Sequence, residues 1–151
     1  MTETTELLRR IDLIESRTAI EEVLHGYAQA FDYKNVELLK SLFHRDGVID
    51  LGPAFGKSEG IDAILAGAEK LWERMPQMHH WMSNPIIKID GDRATATSNI
   101  HGVMFVKSDG PAEVAGFYRD DFERRDRRWA IALRRFEAHY WVPLQNWTPA
   151  A

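Results

Sequence analysis

His79-His80-Trp81-Met82-Ser83-Asn84-Pro85-Ile86-Ile87-Lys88-Ile89-Asp90-Gly91-Asp92-Arg93-Ala94-Thr95-Ala96-Thr97 is the stretch that decides the fold. Residues suited to a pleated surface flank Asp90-Gly91-Asp92, which favours a tight reversal, so two strands joined by a turn are predicted. The same pattern repeats outward. Runs rich in β-branched and aromatic residues cover His79–Asp90, Arg93–Lys107, Ala112–Arg124 and Trp129 to about Trp141. Ser108-Asp109-Gly110 and Arg125-Asp126-Arg127 punctuate them, and together they predict an antiparallel meander.

Before Pro76 the periodicity is helical. Ile11, Leu13, Ile14, Ile20, Val23, Leu24, Tyr27 and Phe31 recur at spacings of three and four, the mark of an amphipathic helix. A break is expected at Ser16 or Thr18. Asn35 suits the N-cap of a second helix, Val36–Phe43, which Asp46-Gly47 ends. Gly47–Leu51 reads as a short strand broken by Gly52-Pro53, and Ser58 to about Arg74 as a third helix. Helices first and a meander last define an α+β class, with the helices packed on a strongly curved, mostly antiparallel sheet. Such a sheet closed by a long helix makes a cone, and the open end of a cone is a pocket.

The 151 residues suit one domain over 1–151, with a core at about 8–141 and an aromatic tail at 142–151. Apolar residues make up 44% and charged residues 28%, a globular composition. A net charge of −4, with acids interleaved among the bases, argues against nucleic acid as a partner. The absence of cysteine excludes disulfides, thiolate catalysis and zinc–thiolate sites. Met1–Arg10 is polar and acidic, unlike a signal peptide, and no apolar run reaches membrane-spanning length. The expectation is a cytoplasmic protein without membrane contact.

Few residues suggest chemistry. Strand alternation puts His79, Trp81 and Ser83 on one face and His80, Met82 and Asn84 on the other, so one histidine points inward and its neighbour outward. A buried histidine that donates to a carboxylate keeps one tautomer and leaves its second nitrogen as a base. Asp32 is the candidate carboxylate, although five residues turn a helix by about 500° and set it roughly 140° from Tyr27, off the apolar stripe. Arg134 ends the alternating set Ala130, Ala132, Arg134, Phe136, where it would meet either an anion in the pocket or an acid in a salt bridge. Asn99 and His101 share a strand face and either line the cavity or sit on the exposed side. His139-Tyr140-Trp141-Val142-Pro143-Leu144-Gln145-Asn146-Trp147 could lid a pocket, seat a subunit or join the core. No phosphate loop, nucleophile elbow or His-Glu-x-x-His motif occurs, and His79-His80 is a poor metal pair.

Ile20-Glu21-Glu22-Val23-Leu24, Tyr27-Ala28, Phe31-Asp32, Leu42-Phe43, Gly47-Val48-Ile49-Asp50, His79 to Asn84, Tyr118-Arg119-Asp120 and Arg125 to Trp129 together resemble the SnoaL-like proteins of the nuclear-transport-factor-2-like superfamily. The resemblance runs from Ile20 to Arg135. It is nearest the branch of scytalone dehydratase, hexachlorocyclohexane dehydrochlorinase and bile-acid 7α-dehydratase. It implies a cystatin-like cone and a lyase that uses no metal or organic cofactor. It implies Asp32 and His80 as a catalytic dyad, with His79 facing away, and Tyr27 and Arg134 as substrate contacts. Asn84, Asn99, His101 and Tyr118 complete the candidate substrate-binding set. Leu51 stands where scytalone dehydratase carries a tyrosine, and His101 lies only near that enzyme's second histidine. The implied partner is an apolar cyclic or aromatic small molecule that loses water or halide. Retro-aldol release of formaldehyde from lignin-derived diaryl compounds, ketosteroid-isomerase-like isomerisation and binding without chemistry are the alternatives. A small homo-oligomer is implied, trimer ahead of dimer.

Overall fold

The structure, a computed structural model, describes residues 2–146. In chain order it runs α1 (Glu3–Asp32), α2 (Val36–Leu42), β1 (Phe43–Asp50), β2 (Lys57–Glu59), α3 (Ile61–Arg74), β3 (Gln77–Asp90), β4 (Arg93–Val106), β5 (Gly110–Arg125) and β6 (Arg128–Pro143). The strands form one sheet in the order β2-β1-β6-β5-β4-β3. β3 to β6 are the antiparallel meander, while β1 joins β6 in parallel, with Phe43 opposite Ile131 and Asp50 opposite Arg135.

One face of the sheet is covered. Ile20, Leu24, Tyr27 and Phe31 of α1 pack with Leu39, Ile64, Ala96, Ile100, Phe122 and Ile131 in a single apolar core. The opposite face of the meander carries Trp81, 48% exposed, and Ile86, 65% exposed. No helix among the described residues is long and apolar enough to cross a membrane.

Four local expectations change. α1 does not break at Ser16 or Thr18, because Thr18 Oγ1 donates back to the Ile14 carbonyl at 3.0 Å and buried Ser16 accepts from Arg124. α2 stops one residue early, since Phe43 takes extended backbone (φ −109°, ψ 154°) to start β1. β1 therefore begins four residues before the predicted strand at Gly47. Ser58 lies in β2, and α3 starts only after Gly60, whose φ of 82° turns the chain.

The sheet is pinched where β5 meets β6. The register shifts between Ala115 and Gly116, and a Cβ at Gly116 would stand 2.1 Å from the Glu137 carbonyl oxygen. Gly116→Ala should cost about 1–3 kcal/mol, read as a lower urea midpoint. An unchanged midpoint would mean that the two strands can part there without loss.

Candidate active site

The last turn of α1 is built to hold a side chain still. Lys34 takes a left-handed φ of 54°, Asn35 N donates to the Ala30 carbonyl at 2.8 Å and Lys34 N to the Phe31 carbonyl at 3.3 Å. This is a Schellman stop. Trp72 of α3 adds a third tie, its Nε1 donating to the Phe31 carbonyl at 3.0 Å. Asp32, the final helical residue, thus projects across the helix end toward β3. That position answers the angular objection: at the terminus no further turn of helix stands between the carboxylate and the sheet.

His80 is the inward histidine. Its Nδ1 donates to Asp32 Oδ1 at 2.5 Å, and its backbone N donates to Asp32 Oδ2 at 2.9 Å. The side chains are 7% and 13% exposed. Both carboxylate oxygens therefore serve one residue, fixing the ring's orientation and assigning the Nδ1 proton. Nε2 is left for the cavity. Gly102 lies opposite His80, and a Cβ there would meet the His79 carbonyl oxygen at 2.9 Å and the Met104 methyl at 2.8 Å, so glycine lets β3 and Met104 close up against β4 beside the dyad.

His80 lines a narrow cleft of about 460 Å³, mouth included. Met75, Met78, Met104, Phe55 and Trp141 line it together with the buried Tyr27 and Tyr118. Among the described residues no Asp, Glu, Lys or Arg lines it. Phe55 and Trp141, with ring centroids 5.6 Å apart, come from the β1–β2 connection and from β6. The tail thus contributes to the cleft through Trp141, while His139 packs on Phe117; Trp147 lies outside the described residues.

The structure does not bring Arg134 to the cleft. Its guanidinium donates to both oxygens of Asp120, Nε and Nη2 each at 2.7 Å, with both side chains fully buried. It lies over the rings of Tyr27 at 4.1 Å and Tyr118 at 4.4 Å. Burial alone would favour losing the charge, but the adjacent carboxylate outweighs it and holds the guanidinium firmly protonated. The predicted alternation fails here because the β5–β6 register shifts between Asp121 and Phe122, putting Ile131, not Ala132, in the core before Arg134. Sequence reasoning missed Asp120 and Trp72. The run Tyr118, Asp120, Phe122, alternate residues on one strand face, was the available signal for Asp120.

Burial also raises the Tyr27 and Tyr118 phenols above the ordinary value of 10.0; Tyr118 adds to the effect at Tyr27, while Arg134 offsets part of it at Tyr118. A raised value means that the protonated form is favoured by folding. Their contribution to stability is complete below about pH 10 and is lost as pH rises beyond it. Alkaline difference absorbance should show a late tyrosine component that Tyr27→Phe and Tyr118→Phe each reduce. A titration unchanged in both variants would contradict this.

Three further candidates are corrected. His101 pairs with Trp81 and Asn99 with Ser83, and antiparallel partners share a face, so both lie on the outer side opposite His80. There His101 stacks on Trp81 and its Nε2 meets Glu113 Oε1 at 2.6 Å. Asn84 leaves His80's face because the β3–β4 register shifts between Ser83 and Ile86; Asn84 adopts φ 53° and is exposed. Pro85, unable to donate to the ladder, accounts for the bulge. Among the described residues no three His, Cys, Asp or Glu side chains are placed to hold a metal ion.

A curved sheet roofed by helices, with its cleft between them, defines a cystatin-like α+β cone, and known proteins agree. Residues 12–135 match the SnoaL-like domain, and the chain belongs to that family. A type 2 hexachlorocyclohexane dehydrochlorinase superposes with a TM-score of 0.89 at 20% identity, over 94% of this chain and 97% of its own. A scytalone dehydratase-like protein from Novosphingobium aromaticivorans gives 0.79 at 21% identity, covering 90% and 92%. A cystatin-like fold protein of unknown function from Nostoc punctiforme gives 0.70 at 22%, covering 81% and 90%. At these identities the likeness concerns the fold. A search of curated proteins finds no match.

Proposed function

We propose that the protein is a cofactor-independent lyase in which His80, held by Asp32, removes a proton from carbon in a neutral, apolar ring compound and a β-substituent leaves. The observation that carries this reading is the 2.5 Å contact from Asp32 to Nδ1 of an imidazole that faces an apolar cleft. A neutral imidazole with one nitrogen committed to a carboxylate is a general base at the other, a role that contributes about 10²–10⁴-fold. The cleft's lack of charged lining supports an uncharged substrate. The dehydrochlorinase and dehydratase names of the structural neighbours point the same way.

Isomerisation by a carboxylate base has less support, since both Asp32 oxygens are engaged by His80. Retro-aldol release of formaldehyde would use the same base on a different bond. The test is a panel of hydroxylated, chlorinated and diaryl ring compounds incubated in D₂O. Loss of water, chloride or formaldehyde, or deuterium entry at the acidic carbon, is the expected result. Binding without exchange or elimination across the panel would make the protein a carrier and end the lyase reading.

A further inference from the structure

Leu7, Leu8, Ile11 and Ile14 put four aliphatic side chains, 42–65% exposed, on about two turns of α1. They precede the part of the helix that packs on the domain, whose first buried residue is Ser16 and first buried aliphatic Ile20. At about 100° per residue, Thr4, Leu7, Ile11, Ile14 and Thr18 fall within roughly 40° of one line. Ser16, Ile20, Val23 and Tyr27 lie on the opposite side, so the stripe faces away from the core. The arm is nevertheless built to stay helical to its end. Thr2 accepts from Thr5 N at 3.2 Å, Glu3 and Glu6 suit the first turn, and Arg9 holds Glu6 at 2.7 Å. Leu7, Leu8 and Ile11 also precede residue 12, where the match to the SnoaL-like domain starts, so the shared fold does not require them.

We propose that this stripe is a docking seam for a second copy of the chain, the two arms lying parallel as a short coiled coil. Steps of three and four through Thr4, Leu7, Ile11, Ile14 and Thr18 are the core positions of such a pair. The flanks identify the occupant. Glu3, Arg10 and Arg17 border the seam on one side, and Leu8, Glu15 and Glu22 on the other. In parallel arms each residue of the first flank meets the one five positions further along the other chain. Arg10 then faces Glu15 of the partner subunit and Arg17 faces Glu22 of the partner subunit, and two-fold symmetry repeats both contacts. Antiparallel arms would set Arg10 against its own counterpart. Among the described residues Arg10, Glu15 and Glu22 have no ionic partner within the chain, while Arg17 is shared with Glu21 at 3.0 Å. So short a seam would be weak between free peptides, but the domain beyond Ser16 already orders this helix, which lowers the entropy lost on pairing.

The chain has no cysteine, so a single introduced one reports its own neighbours. Mild oxidation of full-length Thr4→Cys should give a disulfide-linked dimer, because facing core positions bring two sulfurs within bonding reach. Arg9→Cys, on the far side of the helix, should cross-link at least about tenfold more slowly, its sulfur being held beyond that reach. Adding Leu7→Glu and Ile14→Glu to Thr4→Cys should slow it to the Arg9→Cys rate. The same two substitutions in the wild-type chain should halve the mass found by sedimentation at micromolar concentration. Glutamate keeps helix propensity and the arm lies outside the core, so the fold is not at risk. Equal cross-linking of Thr4→Cys and Arg9→Cys, a mass that does not change, or a mass that falls to one third would overturn the pair. Wild-type protein that stays unpaired but co-sediments with anionic phospholipid vesicles, and loses this in Leu7→Glu with Ile14→Glu, would also overturn it and assign the stripe to a lipid surface.

Discussion

His80→Gln should lower the rate of elimination by about 10²–10⁴-fold while the thermal midpoint stays within a few degrees of wild type. Glutamine keeps a polar group near Asp32 but has no lone-pair nitrogen to take a proton, so the loss falls on chemistry rather than on binding. Asp32→Asn tests the partner. An amide can present N–H to Nδ1, which would favour the tautomer with its proton on Nε2, where the base must be empty. A loss at least as large as that of a weakened base is expected. Both rates are to be measured on whichever ring compound of the panel is turned over fastest, with deuterium entry as a second readout. A rate within tenfold of wild type in His80→Gln would remove the imidazole from the mechanism.

The other large effect is on folding. Asp120→Ala should destabilise the protein by about 3–5 kcal/mol, because it strands the fully buried Arg134 without a counter-charge. For a chain of this size the thermal midpoint should fall on the order of 10 °C. The penalty is a charge left in hydrocarbon, so removing that charge as well should relieve it. The double variant Asp120→Leu with Arg134→Met should recover most of the stability. Among the described residues Arg134 Nη1 finds no hydrogen-bond partner, a cost already present that the double variant would also eliminate. Chemical denaturation of the three proteins decides the matter. A drop below 1 kcal/mol in Asp120→Ala would show that the guanidinium reaches water or another acid.

How much could be read in advance follows the physics of each element. The meander was legible because turn chemistry is local: Gly91 and Gly110 adopt φ of 58° and 80°, and Asp126 and Arg127 both lie in the left-handed region. The parallel pairing of β1 with β6 was not legible, since nothing in either strand encodes a partner so distant in sequence. Alternation told that His79 and His80 point oppositely but not which points inward, because a period of two has no preferred sign. It misplaced Asn84, and the small residues before Arg134, because one extra residue in a bulge inverts everything beyond it. Asp32 escaped helical geometry for a related reason. Angular arguments hold within a helix and fail at its end, where the Schellman stop and Trp72 set the direction.

The parallel seam between β1 and β6 also fixes the order in which the molecule can be completed. A ribosome delivers Phe43–Asp50 long before Arg128–Pro143, so for most of synthesis β1 lacks the neighbour that covers its inner edge. The hairpins of β3 to β6 close over short loops and can form quickly, whereas this seam must wait for the last strand. The seam itself is therefore closed last, and a chain ending before Arg128 would expose an unpaired strand prone to self-association.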